Sequence, residues 1–93
     1  MEISYDAAKN AVNEAKHGVP LSLTALIDWS AVMCPPDVRH DYGELREIGL
    51  TLIKGRLYCV VFTQRAETLR VISLRKANNR EMGHYEQAIE ANP

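Results

Sequence analysis

The chain has 93 residues, 46% of them apolar and 25% charged, and its formal net charge is −1. This is the composition of a globular domain, which excludes an intrinsically disordered chain, and the length predicts one domain over residues 1–93. Neither a transmembrane stretch nor a signal peptide pattern is present in the sequence, so we expect a cytoplasmic protein with no membrane contact.

The N-terminal elements are predicted to be a short strand over residues 3–5 and a helix over residues 7–17. Asp6 supplies the N-cap oxygen, and Gly18 supplies the left-handed residue that ends the helix. Apolar residues recur at helical spacing along one face of this helix: Ala8, Ala11, Val12 and Ala15. The opposite face carries a polar line: Lys9, Asn13, Lys16 and His17.

The next segment predicts a second helix that is capped by Ser22 and continues to about Trp29. Its inward residues would be Leu23, Leu26 and Ile27. A short strand over residues 31–34 and an acidic loop over residues 37–44 would follow.

Three strand patterns occupy residues 45–53, 57–63 and 68–75 and are joined by short connections, which favours an antiparallel meander. The middle strand is apolar on both faces and should be central in the sheet. Asn78 and Glu81 have the spacing of a capping box for a last helix over residues 79–90. Its inward stripe would be Met82, Tyr85 and Ile89. The fold class is therefore predicted to be α+β, with helices at both ends of an antiparallel sheet.

Positive charge is concentrated in residues 65–80, which contain five Arg or Lys and one Glu, a net charge of +4. Guanidinium groups match phosphate oxygens in a bidentate way, so this window predicts a nucleic-acid or other polyanion site. The candidate phosphate ligands are Arg70, Arg75, Lys76 and Arg80. The alternative is a solvated face, or a docking surface for an acidic partner.

RNA cleavage without a metal needs a base for the ribose 2′-OH as well as cations for the phosphate. His17, Glu44, Glu47 and Tyr85 are the candidate bases. Strand alternation predicts that Arg70 and Lys76 point to one side and Ser73 and Arg75 to the other, unless a bulge intervenes. Structural roles compete with each candidate: helix capping for His17, core packing for Tyr85 and an ion pair for Arg46.

The two cysteines, Cys34 and Cys59, are expected to be reduced and buried. With no CxxC pair and no His/Cys cluster at ligand spacing, we expect neither a metal site nor a cofactor.

A family resemblance is carried by residues spread over nearly the whole chain. They are Tyr5, Asp6, Lys9, Asn13, the KHGV element at residues 16–19, Arg46, Gly49, Arg70, Ile72, Ser73, Arg75, Ala77, Glu81 and Tyr85. In this order and spacing the chain resembles the BrnT family of type II toxins. The resemblance implies a RelE-like fold, a ribonuclease that halts translation, and a cognate antitoxin that also binds operator DNA.

On this basis we predict a metal-independent endoribonuclease whose catalytic residues are His17, Arg46, Arg75 and Arg80. RNA contacts are assigned to Lys16, Arg70, Ser73, Lys76 and Tyr85. The expected partner is a BrnA-like antitoxin with a ribbon-helix-helix domain, in a possible heterotetramer, and operator DNA would be contacted only through it. The alternatives are a non-catalytic module with a toxin-like fold and a gyrase-inhibiting relative of that fold.

Overall fold

The computed structural model describes residues 2–34, 39–41 and 45–91. One five-stranded sheet has the order β1-β5-β4-β3-β2. Its strands are β1 (Glu2–Ser4), β2 (Arg39–Asp41), β3 (Leu45–Ile53), β4 (Arg56–Arg65) and β5 (Thr68–Lys76). The helices are α1 (Ala7–His17), α2 (Asn79–Ala91) and two 3₁₀ helices, Leu21–Leu26 and Trp29–Ala31. The predicted α+β class is confirmed.

The predicted meander is also confirmed, because β3, β4 and β5 pair antiparallel in chain order. The apolar strand β4 lies in the middle of the sheet, as its pattern predicts. β1 adds to the edge of β5 in the parallel direction, and β2 adds to β3 antiparallel. Residues 39–41 were expected in a loop, so β2 corrects that prediction, and the rest of the predicted loop lies outside the described residues.

Apolar side chains cover both faces of the sheet. On one face, here called the core face, side chains of β4 and β5 pack with Val19, Leu21 and Ile27. The strand residues in this cluster are Tyr58, Val60, Phe62, Leu69, Val71 and Leu74, with Ile53 from β3. On the other face, here called the α2 face, Leu50, Leu57, Cys59 and Ala77 form a smaller cluster. Met82 and Tyr85 of α2 pack against it.

Both ends of α1 and the N-terminus of α2 are capped as the sequence predicts. Asp6 accepts hydrogen bonds from the backbone N–H groups of Ala8 and Lys9, and Gly18 ends α1 at φ 75°. At α2 the Asn78 side chain accepts from the Glu81 N–H, and the Glu81 carboxylate accepts from the Asn78 N–H, both at 2.9 Å. The capping box is therefore present. Ile89, predicted to point inward, is 51% exposed, which corrects that part of the stripe.

The predicted second helix is wrong in type. Residues Leu21–Leu26 form a 3₁₀ helix whose N-cap residue, Pro20, supplies no side-chain cap. The Asn10 amide oxygen of α1 instead accepts a hydrogen bond from the Leu21 N–H. The buried residues are Leu21, Thr24 and Ile27, a spacing of three that matches three residues per turn. Leu26 is consequently 50% exposed instead of inward. The predicted strand at residues 31–34 is reduced to a single bridge between Met33 and Leu50.

The orientation of α1 is the opposite of the predicted one. Asn13 is the only buried residue of this helix, and the expected apolar residue Val12 is 62% exposed. The Asn13 amide donates to the carbonyls of Val19 and Leu74, at 2.8 and 2.7 Å, and accepts from the Leu74 N–H at 3.1 Å. α1 therefore docks through a polar side chain that completes hydrogen bonds of the β5 backbone, whereas Lys9 and Lys16 of the polar line remain exposed.

Candidate nucleic-acid interface

A β-bulge in β5 decides which side chains share a face. Val61 pairs with Ser73 and the next residue, Phe62, pairs with Val71, so Ile72 is the extra residue. Paired residues point to the same side of a sheet, and the extra residue reverses the alternation that follows it. Arg70, Ser73 and Arg75 therefore all lie on the α2 face, opposite Thr63, Val61 and Cys59 respectively. Simple alternation would have separated Arg70 from the other two.

Arg46 on β3 lies on the same face. Glu47 pairs with Phe62, whose side chain is in the core-face cluster, so the neighbouring Arg46 points to the α2 face. If the β3–β4 register is extended by one residue beyond the Glu47–Phe62 pair, Arg46 lies beside Thr63. Thr63 in turn pairs with Arg70 on β5. Two arginines thus flank a buried threonine across three strands, with their Cα atoms roughly 10 Å apart at the usual strand spacing.

The third arginine of this face is held by a carboxylate. The two Nη atoms of Arg75 donate to the two oxygens of Glu81, each at 2.8 Å, and Nη1 also donates to the Lys76 carbonyl at 3.4 Å. These bonds account for three of the five N–H donors of the guanidinium. The hydrogen bond from Arg75 lowers the pKa of Glu81, and the same bond raises the pKa of Arg75.

Cys59 lies beneath this ion pair, directly opposite Arg75 in the strand register. Burial raises the pKa of its thiol to about 11, and the positive charge of Arg75 only partly offsets that effect. The thiol is therefore neutral at physiological pH, and its hydrogen bond to Glu81 also contributes to the raised pKa of Cys59. Cys34 is exposed, which corrects the prediction that both thiols are buried, and both thiols are reduced, as predicted.

A cleft of about 270 Å³ opens where α1 meets the edge of β5. Eight of the described residues line it: Ala8, Lys9, Val12, Asn13, Lys16, His17, Ile72 and Ser73. Three of the predicted site residues, Lys16, His17 and Ser73, are thus brought together from segments far apart in the sequence. Ser73 belongs both to the cleft and to the α2 face, so the cleft adjoins the arginine-bearing face.

The remaining predicted site residues lie apart from this assembly or have structural partners. Lys76 pairs with Tyr58 and is therefore placed on the core face, away from Arg70 and Arg75. Arg80 is exposed in the first turn of α2. Tyr85 is half-buried against the α2-face cluster, in agreement with the core-packing alternative.

Among the candidate bases, Glu47 is placed on the core face by its pairing with Phe62, on the opposite side from the arginines. Glu44 lies outside the described residues.

Two residues of this region were missing from the predicted site. For Glu81 the sequence predicts a capping role and a place in the family resemblance but no role in the site. The structure shows that its carboxylate, six positions after Arg75, reaches back to bind that arginine. Lys9 lines the cleft, and its place in the polar line with Lys16 and His17 was the signal that could have identified it.

The described residues contain no group of three or more His, Cys, Asp or Glu side chains arranged to hold a metal ion. Within the same residues, neither α-helix is long and apolar enough to cross a membrane.

Comparison with known proteins gives one family. The family model described as the ribonuclease toxin BrnT of type II toxin–antitoxin systems matches residues 5–81. A search of curated proteins finds no match. The matched range contains α1, the cleft, all four arginine and lysine positions of β5 and the start of α2, and Glu81. The chain therefore belongs to the BrnT family of ribonuclease toxins of type II toxin–antitoxin systems.

Proposed function

We propose that this chain cleaves RNA, halts translation, and is neutralised by a cognate antitoxin. The observation that carries the proposal is the bulge at Ile72, which gathers Arg70, Ser73 and Arg75 on the face that also bears Arg46. Several guanidinium groups converging on one face suit the charge of an RNA phosphate and of its transition state.

In the proposed reaction no metal takes part. His17 removes the proton of a ribose 2′-OH, and the 2′ oxygen attacks the adjacent phosphorus. The P–O5′ bond breaks, the 5′ oxygen takes a proton from water, and the products carry a 2′,3′-cyclic phosphate and a 5′-OH. Arg46 and Arg75 stabilise the negative charge that develops on the phosphoryl oxygens, and Arg80 contacts the RNA from the first turn of α2.

Glu81 has a positioning role in this scheme. Its bidentate bond fixes the plane of the Arg75 guanidinium while two of the N–H donors stay outside the bonds to Glu81 and Lys76. Because its pKa is lowered, the carboxylate remains ionised at neutral pH and is a weak base. We therefore assign proton removal to His17 and not to Glu81.

The test is cleavage of a translated message by the purified protein and by single alanine variants at His17, Arg46, Arg75 and Arg80. We expect each arginine change to lower the cleavage rate on the order of 10²-fold while RNA binding falls less. Cleavage should continue in EDTA and should stop when the 2′-OH groups are methylated. If all four variants cleave at the parental rate, the site assignment is wrong.

A second candidate function is a binding module that retains partner contacts without cleaving RNA. The Arg75–Glu81 pair favours it, because Glu81 already compensates one of the positive charges of the face. Intact RNA after incubation with the parent protein, combined with tight binding of the antitoxin, would make this the better account.

For the partner, we propose a BrnA-like protein with a ribbon-helix-helix domain, encoded next to this chain, whose dimer holds two toxin copies in a heterotetramer and contacts operator DNA. Covering a basic active face is the simplest way to silence it, so the partner should bury residues 70–80. Slower amide exchange of that segment in the complex is the expected result. Protection only on the core face would contradict the proposal. The expected location is the cytoplasm, where messages are translated.

A further inference from the structure

We propose that the cleft between α1 and β5 is a nucleotide subsite that holds the RNA nucleotide on the 5′ side of the scissile bond. This inference rests on the proposed ribonuclease function and extends it to the path of the substrate. α1 lies outside the basic window at residues 65–80 and outside the α2 face that carries the arginines. It would therefore contribute a second, separate part of the RNA contact.

The lining of the cleft has the mixed chemistry of a nucleotide. Ala8, Val12 and Ile72 give apolar surface of the kind that contacts a ribose or the face of a base. Lys9 and Lys16 supply ammonium groups on the same helix, seven positions or two turns apart. No acidic side chain is among the eight described residues of the lining, so its charge is uniformly positive.

The cleft is also stably built on the side that faces the sheet. Asn13 is 5% exposed and fixes α1 to the backbone of Leu74 by two hydrogen bonds and to Val19 by a third. Lys9 and Lys16 lie one turn before and after Asn13 on the same face of the helix. Both lysines thus stand on a helix that is already fixed beside Ser73, so RNA binding does not have to order a loop to bring them there.

The position of the cleft relative to the α2 face sets the 5′-to-3′ direction in which the RNA strand would lie. Ser73 lines the cleft and also stands between Arg70 and Arg75 on the α2 face. His17, the proposed base, lines the cleft as well. A nucleotide in the cleft would present its 2′-OH to His17 and its 3′-phosphate across Ser73 to the arginines. This is the order of groups that the transesterification requires.

The other occupant to consider is an acidic segment of the antitoxin. An acidic peptide would use Lys9 and Lys16 and would also pack against Val12, which is 62% exposed. A nucleotide is favoured because the cleft also contains His17, the proposed base, and adjoins the α2 face through Ser73. The experiment below separates the two occupants.

The experiment compares the parent with a Lys9→Gln/Lys16→Gln variant and a Val12→Glu variant. All three altered positions are exposed, so folding should be preserved, and thermal melts will verify it. Lys54→Gln is the matched control, because Lys54 is an exposed lysine in the turn between β3 and β4. The binding probe is a short fluorescent single-stranded RNA with 2′-O-methyl groups, which cannot be cleaved.

For the double variant we expect at least a tenfold loss of affinity and a salt dependence that is shallower by about 1.4, the sum for two single-strand phosphate contacts. Val12→Glu should also weaken binding, whereas Lys54→Gln should match the parent. In NMR titrations of the parent, uridine 3′-monophosphate should shift the signals of Val12, Lys16, Ile72 and Ser73.

Parental RNA affinity in both cleft variants overturns the inference, and so does a loss confined to antitoxin binding. Absence of nucleotide-induced shifts at the cleft overturns it as well. A failure of the proposed ribonuclease function would give a different set of results. The parent protein would leave RNA uncleaved, but the 2′-O-methyl RNA and the mononucleotide would still bind in the cleft.

Discussion

Glu81 combines two structural roles in one side chain. It completes the capping box with Asn78 and makes the bidentate pair with Arg75. Glutamine at this position can still accept the Asn78 N–H but has no charge for Arg75. The two roles are therefore separable by one isosteric substitution.

We expect Glu81→Gln to lower the free energy of unfolding at pH 7 by about 1 kcal/mol, a value discounted for solvent screening because the Arg75 side chain is 37% exposed. The folded-state pKa of Glu81 is lowered, so the stabilisation is present above the ordinary glutamate pKa and is lost as the pH falls through the folded value. Urea unfolding between pH 3 and 7 should show the two proteins converging at acid pH. A constant difference over that range would contradict the ion-pair assignment.

The two cysteines should differ in reactivity. The thiolate is the reactive form, and burial raises the pKa of Cys59 to about 11, while Cys34 is exposed. At pH 8 a thiol reagent should label one cysteine of the native protein, and mass spectrometry should locate the label on Cys34. Cys59 should react only after urea is added. In a Cys34→Ser protein only Cys59 remains. Rapid labelling of Cys59 in the native state would contradict this prediction, because it would show that the α2-face cluster opens readily.

At the scale of elements, α1 is held to β5 by the amide of Asn13. Asn13→Ala would leave the Leu74 N–H and carbonyl and the Val19 carbonyl without their partner. Since an unsatisfied buried group costs about 1–3 kcal/mol, we expect a loss on the order of 3 kcal/mol in urea unfolding. Asn79→Ala, at an exposed position of α2, is the control and should change stability by less than about 0.5 kcal/mol.

The close approach of β3 to residues 32–34 depends on Gly49. A Cβ built there would lie 2.4 Å from Val32 Cγ1 and 3.5 Å from Cys34 Sγ. Gly49→Ala should therefore destabilise the protein by about 1–3 kcal/mol in thermal or urea unfolding. Adding Val32→Ala should recover part of the loss, because it removes the clashing methyl.

Gly83→Ala is the matched control for Gly49→Ala. A Cβ at Gly83 meets nothing within 4 Å, and alanine favours the helix. We therefore expect this change to be neutral or stabilising by up to about 1 kcal/mol. Equal destabilisation by the two glycine substitutions would refute the steric explanation.

At the scale of the whole molecule, RNA binding by an acidic protein requires charge segregation. The net charge is −1, yet the α2 face carries Arg46, Arg70 and Arg75. If this face holds phosphates, log affinity should fall linearly with log salt, by about 0.7 per single-strand phosphate contact. Arg70→Gln should make the slope shallower by about 0.7, and Lys54→Gln should leave it unchanged. Equal slopes for the parent and Arg70→Gln would exclude Arg70 from the contact.

The sequence alone was sufficient for the features that depend on neighbours along the chain. The limits of α1, the capping box at Asn78, the meander and the central place of β4 follow from local hydrogen bonding and from the period of apolar residues. The second helix was wrong in type, because a buried period of three at Leu21, Thr24 and Ile27 differs little from the helical period.

Only the tertiary structure decided which functional side chains meet. The bulge at Ile72 is a mismatch between two strands, so neither strand pattern alone contains it, and it determines that Arg70 and Arg75 share a face. The side on which α1 docks depends on the backbone N–H and C=O of Leu74, which hydrogen-bond to Asn13, sixty-one positions earlier in the chain. Both are contacts between distant segments, whereas periodicity within one segment records only that a residue is buried and not which partner buries it.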